Sequence, residues 1–247
     1  MAKVAIVTGG ARGIGRGCAH ALAEKGFDVA LVDLLEPEME RTAGEIRAMG
    51  RRASIHVADV ADFARAAAIV AQVEGEWGGI DFLLNNAGKS MPKPMLEITE
   101  EEFDRTIAIN LKSCFNFIHA AAPGMKRRGA GRIVSMSSLN AHNGGVTSAV
   151  SKFAYAAAKA GIIGMTRALA KELGPEIAIN CICPGVIQTE LGNSLTRSRG
   201  AEMVKGIALG RLGTPADVAQ LVAFLATVEP NFMSGQDFKI DGYQWVT

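Results

Sequence analysis

Thr8-Gly9-Gly10-Ala11-Arg12-Gly13-Ile14-Gly15 joins a short apolar run, Lys3–Thr8, to the apolar-periodic segment Ile14–Lys25, which Gly26 closes. The pattern predicts a strand, a tight turn and a helix in succession. Glycines suit such a turn because the chain bends sharply and no Cβ obstructs a pyrophosphate approaching the backbone. Free N–H groups and the dipole of the following helix would then hold the anion. The spacing is Gly-x3-Gly-x-Gly, not the commoner Gly-x-Gly-x2-Gly. Any close strand-to-helix connection also prefers glycine, so the turn alone marks a candidate and no more.

Beyond the turn, short apolar runs alternate with longer helical stretches. Strands are predicted at Val29–Asp33, Ser54–Ala58, Phe82–Asn85, Arg132–Met136, Ile177–Ile182 and Asp237–Ile240. Helices are predicted at Pro37–Met49, Asp62–Glu76, Val150–Leu173 and from Pro215 to about Thr227. Thr99 with Glu102 forms a capping-box signal for a helix running to about Arg128. Strands this apolar, separated by helices, predict a parallel sheet covered on both faces. Right-handed crossovers make this an α/β, doubly wound fold of seven mostly parallel strands, with its ligand crevice at the strand carboxyl ends. No repeat, low-complexity tract or linker interrupts the pattern. Residues 1–247 are therefore expected to form one domain, with a cofactor part over about 1–135 and substrate loops at 139–154 and 186–206.

Composition narrows the partners. Of the 247 residues 49% are hydrophobic and 21% charged, and Lys+Arg 26 against Asp+Glu 25 leaves a formal charge of +1. That balance offers no field for a polyanion, so nucleic acid is not expected as a partner. No stretch approaches the roughly 20 apolar residues that span a bilayer, and the first apolar run is too short for a signal core. The expected location is the cytoplasm, without a membrane. Cys18, Cys114, Cys181 and Cys183 show no metal-site spacing, although the last two share one face of a predicted strand. They are expected to be reduced, buried thiols, and no metal is expected.

Further residues support a dinucleotide in the glycine turn, where Gly9, Arg12, Gly13, Ile14 and Gly15 would line it. Asp33 ends the second strand and could accept hydrogen bonds from the adenosine ribose hydroxyls while repelling a 2′-phosphate. Its bland alternative is a strand-end carboxylate facing water. Arg12, near the same ribose, would favour that phosphate. At contact range the carboxylate should outweigh one flexible cation, so NAD(H) is expected, with NADP(H) as the alternative. Asp59, with Val60 after it, is placed to meet the adenine amino group. Asn86, Ala87 and Gly88 follow the fourth strand, where small residues let backbone lie beside a ribose. Each of these is equally consistent with plain turn chemistry.

Tyr155-Ala156-Ala157-Ala158-Lys159 falls on a predicted helix, so an i, i+4 step sets both polar side chains on one face. A free Tyr titrates near 10 and is no base at neutral pH. An ammonium held close by is expected to favour the phenolate and lower that value by roughly 1–3 units. Alone, a Tyr–Lys pair at this spacing is more often structural.

Taken together, the chain resembles the short-chain dehydrogenase/reductase family over essentially its whole length. The glycine turn, Asn86-Ala87-Gly88, Asn110, Ser138 with Tyr155-x3-Lys159, and Pro184-Gly185 occur in the family's order. The resemblance implies a Rossmann fold and a soluble oxidoreductase that moves a hydride between cofactor and a CH–OH carbon. It implies Tyr155 as acid/base and Lys159 as its modulator and ribose ligand. Ser138 would donate to the substrate oxygen, and Asn110 would anchor a water. Pro184, Gly185, Ile187 and Thr189 would meet the nicotinamide end. It also implies a homotetramer or homodimer. One departure stands out: the gap from Ser138 to Tyr155 is wider than the family's usual spacing, and Ser137 competes for the serine role.

The enlarged loop brings Asn140 and His142 near the expected reaction centre, where they could read hydroxyls of a sugar or sugar acid. The alternative is a solvated loop. The long segment before the next helix carries Arg197 and Arg199, which could grip a carboxylate or phosphate, or simply be solvated. Two relatives within the family compete for the small-molecule substrate. Asp33 and the polar loop favour NAD-linked sugar or polyol dehydrogenases, whereas Arg12 and Arg132 favour 3-oxoacyl-carrier-protein reductases. A non-catalytic dinucleotide-binding protein is the remote alternative, since it has no need of the Tyr–Lys pair.

Overall fold

In a computed structural model, residues 2–145, 151–189 and 203–244 are described. The chain begins with β1 (Val4–Thr8), α1 (Gly13–Glu24), β2 (Asp28–Asp33), α2 (Glu36–Ala48), β3 (Ala53–Val57), α3 (Phe63–Trp77) and β4 (Phe82–Asn85). It continues through α4 (Glu100–Ile107), a π-turn (Ala108–Lys112), α5 (Ser113–Arg128), β5 (Gly131–Met136), α6 (Asn140–Asn143) and α7 (Phe153–Leu173). β6 (Ile177–Pro184), α8 (Pro215–Thr227) and β7 (Asp237–Ile240) complete the described elements.

The seven strands form one sheet in the order β3-β2-β1-β4-β5-β6-β7, and every pairing is parallel. Because side chains alternate across a strand, the sheet feeds two cores. Ala5 and Val7 of β1 join Leu22 of α1, Met39 of α2 and Val222 of α8 on one face. Val4 and Ile6 join Ile69 of α3, Phe117 of α5 and Ile162 of α7 on the other. Each fully buried Leu, Ile or Phe contributes roughly 1.5–3 kcal/mol. This two-sided burial explains why the strands read as continuous apolar runs.

Order reverses between β1 and β4, so their carboxyl ends open a crevice. Thr8 pairs with Asn85 across that switch. The expected caps form. Thr99 and Glu102 make a reciprocal capping box on α4, and Thr214 with Asp217 does the same for α8.

Two departures from expectation bear on the site. The long helix predicted from Thr99 to Arg128 is interrupted by the π-turn, which inserts an extra residue and buries Asn110 completely. β6 runs two residues past Ile182, because Cys183 and Pro184 still pair with Lys239 and Ile240.

Candidate active site

A cleft of about 480 Å³ opens over the switch point. Gly9, Arg12, Gly13, Ile14, Gly15, Asp33, Asp59, Val60, Asn86, Ala87 and Gly88 all line it. A second hollow, of about 270 Å³, adjoins it and shares Ile14, Asn86, Gly88, Lys89 and Thr189. Ser138, Tyr155, Lys159, Pro184, Gly185 and Ile187 line this second part. The expected cofactor residues thus fall into one continuous groove.

The glycine turn is a cradle that side chains would fill. A Cβ on Gly15 would lie 1.9 Å from the Gly9 carbonyl oxygen, and one on Gly9 would lie 2.7 Å from Asn86 Nδ2. Arg12 is the N-cap of α1, yet its side chain caps nothing and the first turn holds no acidic residue. Gly13, Ile14 and Gly15 of that first turn line the groove, so no side-chain cap competes there with an anion for the helix N-terminus. Asn86 fixes the far side, with Nδ2 donating to the carbonyls of Thr8 and Gly9, both at 3.1 Å. Thr8 Oγ1 accepts from the amides of Asn86 and Ala87 at 3.0 and 3.1 Å.

At the edge of the cleft, Asp33 Oδ2 accepts from the Ala11 amide at 3.2 Å, and Oδ1 accepts from Leu34 N at 2.7 Å. These bonds fix the carboxylate at the edge of the cleft that it lines. Asp59 is oriented by Ala61 N at 3.0 Å and by Arg105 Nη2 at 2.6 Å. Partial burial pushes the Asp59 carboxyl up, but those two partners hold it below the usual carboxylate range. Arg105, from α4, lines the cleft and was missed in the sequence. Its partner is distant along the chain, so no spacing rule points to it.

In the second hollow, the two competing serines separate. Ser137 turns inward, its Oγ donating to the Lys159 carbonyl at 2.7 Å. Ser138 reaches Tyr155 with a side-chain hydrogen bond, and its Oγ accepts from Asn140 N at 3.2 Å. Tyr155 and Lys159 stand one helical turn apart on α7, with Lys159 Nζ 5.6 Å from the centre of the Tyr155 ring. Nζ donates instead to the Met136 carbonyl at 2.8 Å.

This geometry corrects one expectation. The Tyr155 phenol is raised, not lowered, because desolvation dominates and only the Ser138 hydrogen bond opposes it. Burial also pulls the Lys159 ammonium below its ordinary value, which weakens the cation that was expected to act on its neighbour.

Asn110 does not line either hollow. From the π-turn its Oδ1 accepts from Lys89 N at 3.0 Å, while Nδ2 donates to Lys89 O at 2.9 Å and Thr106 O at 3.0 Å. It thereby sets the backbone after Gly88, where a Cβ would stand 3.0 Å from Asn110 Oδ1 and 3.4 Å from Lys159 Nζ. Lys89, Ser90 and Ser151 also line the second hollow. Nothing in their local sequence marks them.

Asn140 and His142 are not brought to the hollow, contrary to expectation. The short helix α6 carries them over the sheet edge, and His142 Nε2 lies 3.1 Å from Asp237 Oδ2. Arg197 and Arg199 lie outside the described residues. Arg132, at the start of β5, bonds to the carbonyls of Leu225 and Val228 and pairs with Glu229. It is therefore spent at the end of the sheet opposite the groove. No helix among the described residues is long and apolar enough to cross a membrane.

Comparison with known proteins agrees with this arrangement. Residues 9–242 match the family described as Enoyl-(Acyl carrier protein) reductase. The oxidoreductase UcpA of Salmonella typhimurium is 39% identical over 249 residues, covering 97% of this chain and 93% of the relative. The 3-oxoacyl-(acyl-carrier-protein) reductase FabG of Chlamydia muridarum is 37% identical over 242 residues, covering 97% and 96%. A short-chain type dehydrogenase/reductase from Mycobacterium marinum superposes with a TM-score of 0.91 at 34% identity, covering 98% of this chain and 95% of that one.

Proposed function

The chain belongs to the short-chain dehydrogenase/reductase family, and from that premise we propose that it interconverts a secondary alcohol and a ketone with NAD(H). The substrate on this reading is a sugar, sugar acid or related hydroxy compound. One observation carries the proposal: Ser138, Tyr155 and Lys159 converge on a hollow that shares five lining residues with the larger cleft over the glycine turn. A protein that only sensed the dinucleotide would have no need of that convergence.

When bound, the nicotinamide gives or takes the hydride; the proton is the chain's task. Tyr155 donates it to the forming alkoxide in reduction and accepts it in oxidation. Desolvation raises the Tyr155 phenol, which favours its proton-donating form. Ser138 serves as the hydrogen-bond donor to the substrate oxygen as charge gathers there. Lys159 supplies a buried cation at the wall, and Asn110 holds the Gly88–Lys89 backbone beside it.

Asp33 supports NAD(H) over NADP(H), since a 2′-phosphate would meet a carboxylate already fixed by backbone amides. Lys89 supports an anionic substrate: it is exposed and lines both hollows, so its ammonium can reach a carboxylate held beside Tyr155. The second reading, a 3-oxoacyl-carrier-protein reductase using NADPH, draws on Arg12 in the cleft and on the relatives of that name. Arg132 no longer favours it, being engaged at the far end of the sheet. Assembly as a homotetramer or homodimer is supported by half-exposed Phe63 and Phe115, which stack at 5.9 Å on the outer face of α3 and α5.

The test is a panel of neutral secondary alcohols, sugar acids and 3-oxoacyl thioesters, each assayed with both cofactors. Turnover of hydroxy acids with NAD⁺, lost in Tyr155→Phe, is the expected result. Turnover confined to 3-oxoacyl thioesters with NADPH would select the second reading.

A further inference from the structure

Behind the wall of the second hollow, three potential ligands meet that the proton chemistry does not use. His142 comes from α6, Cys183 from the carboxyl end of β6 and Asp237 from the start of β7. One imidazole nitrogen, one sulfur and one carboxylate oxygen all lie within 4.8 Å of one another. They are far apart in the sequence, so no spacing could announce them. Among the described residues this is the one group of three or more such side chains able to surround an ion.

We propose that His142, Cys183 and Asp237 form a binding site for a borderline divalent cation, Zn²⁺ foremost, which fastens the enlarged loop to the sheet. A mixed nitrogen, sulfur and oxygen donor set suits Zn²⁺ and disfavours Mg²⁺ or Ca²⁺, which prefer oxygen alone. Tetrahedral bonds of roughly 2.0–2.3 Å separate ligand atoms by about 3.5 Å, so the group needs to contract by about an ångström. Asp237 and His142 already stand 3.1 Å apart.

The surroundings are those of a supported site. Arg167 Nη2 donates to Asp237 Oδ1 at 2.8 Å, which fixes the carboxylate and leaves Oδ2 toward His142. Outer partners of this kind orient ligating carboxylates. Cys183 is fully buried, whereas the His142 and Asp237 side chains keep 19% and 17% of their exposure, giving an ion a way in from one edge.

The position gives the site consequences. Ser137, in contact with Cys183, holds the Lys159 carbonyl, and α6 begins two residues after Ser138. An ion here would brace both Ser137 and α6 without touching the reacting atoms.

The experiment uses the full chain without an affinity tag, reduced and freed of metal by chelation. Zn²⁺ is titrated calorimetrically, and Co²⁺ is added as a spectroscopic probe. One equivalent should bind, the Tm should rise with Zn²⁺ concentration, and Co²⁺ should show a sulfur-to-metal charge-transfer band. Cys183→Ser should abolish that band, and His142→Gln and Asp237→Asn should each weaken binding at least tenfold. If Cys183→Ser does not fold, the two edge variants, whose side chains are partly exposed, decide the matter. Absence of saturable one-to-one binding, or binding unchanged in His142→Gln and Asp237→Asn, overturns the site. Because the readouts are calorimetric and spectroscopic, they stand or fall independently of the substrate panel.

Discussion

Lys159 gives its ammonium to the carbonyl oxygen of Met136, at 2.8 Å, and not to the hydroxyl of Tyr155 one helical turn before it. The last residue of β5 thus anchors the cation that α7 presents. Only 3% of Lys159 is exposed, and burial lowers its affinity for the proton. A charge kept there at such a cost is expected to serve chemistry, because a stable fold does not require it.

Lys159→Met should therefore lower kcat/KM by about 100-fold or more, within the range of lost acid–base assistance. Its Tm should stay unchanged or rise, since a buried charge is replaced by an apolar side chain of similar length. Lys159→Arg should not rescue turnover: the side chain is 3% exposed and Nζ already meets the Met136 carbonyl at 2.8 Å, which leaves little room for a guanidinium. Steady-state kinetics and thermal melts on both variants decide this. A drop in Tm as large as the drop in activity would assign Lys159 to structure.

The two serines predict opposite phenotypes. Ser138 is the hydrogen bond that draws the Tyr155 phenol down against desolvation. Oxidation needs the phenolate, so its rate should rise with pH through the Tyr155 titration. Ser138→Ala removes the lowering partner, and the profile should shift to more alkaline pH with reduced kcat. Ser137→Ala should leave the profile in place but cost stability of about 0.5–1.5 kcal/mol, because a buried hydrogen bond to the Lys159 carbonyl is lost while that carbonyl keeps its partner within α7. A pH–rate series on both variants, with denaturant melts, would expose a reversal of these roles.

Why these details escaped the sequence can be traced to particular residues. The sheet was legible because β1, β2, β4 and β6 bury both faces and so read as apolar runs, and the glycine turn has no space for a side chain at Gly9 and Gly15 and a left-handed backbone at Gly13. Tyr155 and Lys159 were legible because helical spacing alone puts them on one face. The direction of the Tyr155 shift was not, since it depends on desolvation by residues from other elements. The π-turn at Asn110 was hidden in continuous helical periodicity, which one inserted residue barely disturbs. His142 was misplaced because no local rule tells which way a short helix turns its side chains. Arg105 and Lys89 depend on partners or walls distant in the chain.

Cofactor choice rests on Asp33, whose carboxylate is oriented by the amides of Ala11, Leu34 and Leu35. Asp33→Asn keeps the shape and removes the charge. Hydrogen bonds to a charged group contribute about 1.5–3 kcal/mol, so NAD(H) affinity should fall roughly tenfold or more. Discrimination against NADP(H) should fall in parallel, since the repulsion disappears. Dissociation constants for both cofactors, measured by fluorescence titration, test this. A wild-type protein that already prefers NADP(H) would overturn the role given to Asp33.

The acid limit of stability should trace to His56. This side chain on β3 is 5% exposed, and its Nε2 lies 3.0 Å from Ser54 Oγ. Burial is the larger cause that lowers its pKa from the ordinary 6.5, Arg65 adds to it, and Glu76 opposes. A histidine depressed in the folded state binds its proton more readily when unfolded. Its contribution is therefore complete above the unfolded value of about 6.5 and is lost as pH falls through that value toward the folded one. His56→Gln keeps a polar partner for Ser54 but cannot titrate. The fall in Tm between pH 7 and pH 5 should consequently be smaller in the variant than in the wild type. Parallel melts in one buffer series measure the difference, and equal slopes for the two proteins would place the acid-sensitive group elsewhere.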